Sequence, residues 1–262
     1  MYIMRKELRL CRKSLLIWSL GAGLFALLCL MLYDGVRDSM EDAAAVFSEM
    51  GAFSQALGMD KVSIGTLIGY YAIEVTLIIS LGGAMFASLT GAGMLAGEDE
   101  GRTGEFLVSL PVSRLRIVLE KYAATAVMCV IFNAVCAALM LGGFAAMGSL
   151  PDASFFAKYH LSALLMNLEL GSVCFLISAC TSKRPLGAAL GISLLAYFAD
   201  VFARISPQME KLSNAVPFSF CSAADILSGE KISPAAYIIC AAVTVLSLAG
   251  AAVIYSRRDI KA

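Results

Sequence analysis

The amino-acid sequence predicts an all-α, polytopic membrane protein. Six transmembrane helices form one domain over 1–262, with both termini in the cytoplasm. Three observations carry that reading. Of the 262 residues, 60% are apolar and only 15% charged, too few charges for an ordinary soluble domain of this length. The apolar residues fall in long runs separated by short charged segments, without the amphipathic periods and polar loops of a soluble domain. Lys and Arg are divided unequally between the two sides that these runs define.

The first segment, 1–13, is basic, and Met4, Leu8, Cys11 and Leu15 form one helical stripe beside Arg5, Arg9 and Arg12. It reads equally as an amphipathic helix against anionic headgroups and as a basic flank that only sets topology. The twenty residues from Ser14 to Tyr33 carry no charge, which suits a span better than a signal-peptide core. Asp34-Gly35-Val36-Arg37 follows, with no small-residue cleavage site, so 14–33 is an uncleaved first span.

Five further spans fall at 67–96, 122–148, 159–180, 186–202 and 234–256. All are expected to be helices, because isolated strands leave backbone polar groups unpaired in lipid. The second is longer than a bilayer needs, about 45 Å at 1.5 Å per residue, so it tilts, protrudes or breaks at Gly82-Gly83. The fifth is short and opens on Pro185-Leu186-Gly187. Between the first two spans, Met40, Phe47, Met50 and Leu57 recur at helical spacing among Asp34, Asp38, Glu41, Asp42, Glu49 and Asp60. That segment is an amphipathic helix on the outer surface or a solvated connector. Pro207 and Pro217 divide the outer loop 203–233 into short helices or a re-entrant turn.

Lys and Arg number five before the first span, four between the second and third, two at Lys183-Arg184 and three in the tail, fourteen in all. The other side carries two in 34–66, Lys158, and three in 203–233, six in all. The positive-inside rule makes the richer side cytoplasmic. Both ends lie on that side, which requires an even number of crossings.

Other chemistries find little support. The formal net charge is zero, so nothing points to nucleic acid. The eight cysteines include no C-x-x-C pair and fall mostly inside spans, against a disulfide framework or zinc site. His160 is the one histidine. No G-x-x-x-x-G-K-[ST] loop is present, since Gly97 to Thr103 has the wrong spacing and Arg for Lys. No H-E-x-x-H or G-x-S-x-G motif points to an intramembrane enzyme. The chain is therefore read as non-catalytic, with no catalytic, cofactor-binding or metal-ligating residue of its own.

The segment between the second and third spans is more specific. It reads Gly97-Glu98-Asp99-Glu100-Gly101-Arg102-Thr103-Gly104-Glu105-Phe106-Leu107-Val108-Ser109-Leu110-Pro111-Val112-Ser113-Arg114 and runs on to Glu120-Lys121. Turning the chain needs far less polarity than this. An apolar patch lies between an acidic and a basic cluster, Pro111 breaks one helical piece, and Ser113 can cap the next. Such a segment can lie along the membrane and offer apolar and charged groups to a cytoplasmic partner.

This order of acidic cluster, Gly, Thr, Glu, apolar pair, Ser, Pro, Val, Ser and Arg resembles the loop of the type-2 ABC exporter permeases. Six spans, a basic N-terminal helix, a long fifth-to-sixth outer loop and the tail Arg257-Arg258-Asp259-Ile260 extend the resemblance over most of the chain. Gly104 departs from it, since a longer side chain is commoner before the Glu. The resemblance implies that this loop holds a coupling helix docked on a separate cytoplasmic ATP-binding cassette subunit. Glu98, Glu100, Gly101, Arg102, Thr103, Glu105, Phe106, Leu107, Ser109, Pro111 and Arg114 then occupy the contact region. It further implies a homo- or heterodimer with a second permease, ATP and Mg bound by the partner ATPase, contact with membrane lipid, and a multi-pass place in a prokaryotic plasma membrane.

Charge in a bilayer centre costs roughly 2.5–3.5 kcal/mol, which singles out Glu169 and, as a polar neighbour, Asn133. Both are candidate polar residues of a translocation path. Asn133 reads more readily as a helix–helix bond, and Glu169 stays open. Glu74 and Asp200 read as solvated rim. Two other functions fit the hydropathy: a secondary transporter with Glu169 as proton carrier, for which no convincing repeat of broken charged spans is visible, and a non-transporting membrane subunit.

Overall fold

The computed structural model describes residues 2–48, 50–101, 112–206, 208 and 210–257. Among them no strand is formed. Six helices are long and apolar enough to cross a membrane. These are α1 (Tyr2–Ser48), α3 (Leu67–Met94), α5 (Arg114–Ala146), α6 (Ala153–Cys180), α7 (Leu186–Ile205) and α9 (Pro234–Arg257). The short helices α2 (Ala52–Leu57), α4 (Ala96–Glu100) and α8 (Ala223–Ser228) sit in the connections.

Local chemistry fixes the helix starts. The side chains of Thr66, Ser113, Asp152 and Ser222 each accept a hydrogen bond from a backbone N–H of the helix they open, at 3.1, 3.3, 2.8 and 3.2 Å. Each satisfies a donor that the first turn leaves without a partner. The cap predicted at Ser113 is thus present.

Two elements differ from their sequence reading. α1 does not stop after the first span but continues unbroken to Ser48, so Met40 and Phe47 extend that helix and no separate surface helix begins at residue 34. In α3 the helix runs straight through Gly82-Gly83, and the irregularity is a π turn at Tyr71–Val75. Gly83 serves packing instead: a Cβ there would sit 2.6 Å from Asn167 Nδ2 on α6.

α3 and α6 form the centre of the bundle, with α7 and α9 on its flanks. Gly91 of α3 lies against the backbone carbonyl of Gly171 on α6, a close approach that only a residue without Cβ permits. α1 packs along α5 by the same device, with Gly23 under Leu139 and Gly143 under Leu27. Much of α1, α7 and α9 turns large apolar side chains outward, among them Ile17, Phe25, Leu195, Phe202 and Leu246. That exposure suits helices surrounded by lipid tails.

Cross-links place the two ends of the bundle. Ile3 N–H donates to Glu120 at 2.9 Å, Arg114 donates to Tyr255 O at 3.2 Å, and Leu95 N–H donates to Ser178 at 3.1 Å. The described beginning and end of the chain therefore share one end, called basal here. At the other, distal end, Tyr33 OH donates to Gly65 O at 2.6 Å. Nearby, Tyr71 is enclosed by Phe144, Phe155, Phe156 and Tyr159.

Candidate coupling site

Lys121 sits near the start of α5 and is fully buried. An ammonium cannot stay charged there without partners. Three oxygens supply them: Glu7 Oε1 of α1 at 2.6 Å, Glu98 Oε1 of α4 at 2.9 Å, and Met94 O at the end of α3 at 2.8 Å. Lys6 approaches the same Glu98 oxygen at 3.5 Å. Two carboxylates and two ammonium groups balance in charge, and four helices meet at the node.

The surrounding bonds hold the rest of the basal end. Where α3 gives way to α4, Leu95 and Ala96 N–H both donate to Ser178 Oγ, at 3.1 and 2.9 Å. Glu100 accepts from Arg184 N–H at 3.0 Å, and Gly97 lies beneath the Arg184 guanidinium, where a Cβ would come within 2.9 Å of Nε. On the returning strand of chain, Arg114 Nη1 donates to Tyr255 O and Ser256 O at 3.2 and 3.3 Å. These carbonyls terminate α9, where a cation satisfies unpaired acceptors and opposes the helix dipole. Glu120 closes the ring, accepting from Ile3 N–H and from Arg116 Nε, each at 2.9 Å.

The polar segment therefore leaves and re-enters the bundle through two tethered roots. Of the residues expected in the contact region, Glu98 is turned inward onto Lys121, Glu100 holds Arg184, Gly101 is exposed in a turn, and Arg114 caps α9. Arg102, Thr103, Glu105, Phe106, Leu107, Ser109 and Pro111 lie outside the described residues.

The two in-span candidates are not brought together. Asn133 Nδ2 donates to His160 O at 3.0 Å. Its Oδ1 is then left to accept from His160 Nδ1 at 3.2 Å, and His160 Nε2 faces Tyr71 OH at 3.4 Å. Asn133 thus ties α5 to α6 as a helix–helix bond. Glu169 is buried, and its Oε2 has no hydrogen-bond partner. Asp200 is not a solvated rim group: it is buried and holds Arg204 Nε at 2.9 Å.

Sequence reasoning counted Lys121 only as one more cytoplasmic charge. A signal was there: Glu7 lies on the same helix face as Ile3 and Cys11, an acid on the apolar stripe of a basic helix. Such a residue needs a buried cation.

Six helices able to cross a membrane, with a polar segment rooted at one end of the bundle, make a multi-pass membrane protein. The chain belongs to the ABC-2 family transporter proteins, whose profile matches residues 1–260, and it is an ABC transporter permease. No curated protein matched the chain.

Proposed function

We propose that this permease is the membrane half of an ATP-driven exporter, with the basal end in the cytoplasm of a prokaryotic cell. Two such subunits, identical or related, form the path, and separate cassette subunits bind ATP and Mg and dock on the 97–121 segment. The orientation rests on the fourteen-to-six excess of Lys and Arg toward the basal side.

One observation carries the reading: the segment's roots are bound to α1, α3, α5, α6 and α9, with Lys121 at the meeting point. A push delivered to residues 102–111 reaches those helices through the ion pairs and backbone bonds of the segment's two roots. Closure of the ATPases then tilts the helices as rigid bodies and alternates access to the path. Glu98 serves as the fulcrum of this movement, and the docking surface falls to Gly101 through Pro111.

Affinity purification of the chain from native membranes tests this. A Walker-motif ATPase should co-elute, with activity that depends on the chain, and purification without any such ATPase contradicts the proposal. A second reading rests on the unpartnered Glu169 oxygen, which suits a proton carrier. Under that reading Glu169→Gln abolishes export while ATPase stimulation is irrelevant; under ours, stimulation persists in this variant.

A further inference from the structure

The distal end carries its own ion-pair cluster, which the coupling reading does not use. Lys61, in the connection after α2, reaches Asp225 Oδ1 of α8 at 2.9 Å and Glu230 Oε2 at 2.7 Å. Asp225 also accepts from Arg204 of α7 at 3.1 Å, and Arg204 holds Asp200 at 2.9 Å. Asp200, Arg204 and Asp225 are largely shielded from solvent. Lys61 and Arg204 are each used by carboxylates of a different turn or element, which marks a closure.

The cluster joins parts of the chain far apart in sequence. Lys61 belongs to the strap that leaves α1, while Arg204, Asp225 and Glu230 belong to the outer loop and its flanking helix. The strap is drawn tightly across: a Cβ at Gly58 would come within 2.8 Å of Ala224 Cβ on α8. Beneath it lies a cavity of about 80 Å³, lined by Leu57 above, Ile73 and Thr76 of α3, Tyr197 and Asp200 of α7, and Cys221. One wall is thus the π turn, a local irregularity of the kind often found at functional positions.

We infer that Lys61, Asp225 and Arg204 form a clasp that seals the distal mouth of the path, and that the clasp parts when the permease opens outward. The inference rests on the orientation proposed above, which makes the distal mouth the outer one. Parting the Lys61 bonds frees the strap from α8 and widens the partly open pocket between α3 and α7. Cys221 reports the event. It is buried, and burial, with Asp200 beside it, pushes its thiol well above the ordinary range, so it reacts slowly while the clasp is shut.

The test is labelling of the full chain in intact cells and in inside-out vesicles with a membrane-impermeant sulfonated maleimide, read at each cysteine by peptide mass spectrometry. Lys61→Glu should raise the rate at Cys221 from the outside by about tenfold or more, as loss of a shielded ion pair shifts a local opening equilibrium. Cys129 and Cys174, buried within spans, should stay unlabelled, and adding Glu230→Lys should return much of the protection. Labelling of Cys221 no faster than in the unaltered chain overturns the clasp. A rise seen only in inside-out vesicles keeps the clasp and overturns the orientation. If Cys129 and Cys174 also react, the fold is lost, and Lys61→Gln, which removes the charge without reversing it, decides by the same criteria.

Discussion

Lys121 illustrates how far a single residue can be read before its surroundings are known. Its charge was countable in the sequence; its burial was not, because the partners lie 114 and 23 positions away. Removing the cation leaves two enclosed carboxylates with only the partly exposed Lys6 to offset them, where breaking a buried pair costs about 3–5 kcal/mol. Lys121→Met is therefore expected to lower the melting temperature of the purified protein clearly, and adding Glu98→Gln should recover part of the loss. A melting temperature unchanged by Lys121→Met contradicts the node. Asp225 makes a prediction in pH. Burial alone would raise its carboxyl, but Arg204 and the Lys61 bond outweigh it and hold the group below its usual range of about 3.9. A depressed carboxyl contributes stability above the unfolded value and loses it as pH falls through the folded one. As pH falls through that depressed value the Asp225 bonds should be lost and Cys221 exposed, and Asp225→Asn should weaken the clasp at neutral pH as well.

At the scale of elements, the positions of the six spans were legible because twenty-residue apolar runs have few alternatives in lipid. What escaped were the features set by contacts. The continuation of α1 past residue 33 is polar enough to read as a connector, yet Tyr33 bonds Gly65, and Met40 and Phe47 pack on the core, which keeps the helix going. Of the tilt, protrusion or break that the long second span allowed, the break at Gly82-Gly83 is absent because those glycines make room for neighbours, Asn167 among them, while the π turn forms where Tyr71 is wedged among aromatic rings. Close packing of α3 on α6 gives a sharp test. Gly91→Ala places a methyl group against Gly171 O, an overpacking expected to cost roughly 1–3 kcal/mol in thermal unfolding. Gly21→Ala, inside α1, meets nothing within 4 Å and should not destabilise. Equal effects at the two positions would refute the close approach.

For the whole molecule, the two ends are organised differently from the middle. Apolar contacts and small residues hold the spans together, whereas ion pairs join distant segments at each end, Lys121 at the base and Asp225 at the tip. Charge placed where elements meet gives each end a definite closed arrangement, and a transporter driven from one end requires two such arrangements that can be exchanged. The sequence resemblance pointed to the 97–121 loop, while the geometry supplied the residues that anchor its roots. Glu98, which the resemblance places in the contact region, bonds the enclosed cation Lys121 at the root of that loop. The central claim is that force enters through the loop from a separate ATPase. It is tested most directly by Glu105→Arg in the purified complex. The account predicts that this charge reversal abolishes the stimulation of ATP hydrolysis while membrane insertion and the amount of chain recovered stay unchanged. Stimulation equal to that of the unaltered complex would contradict it.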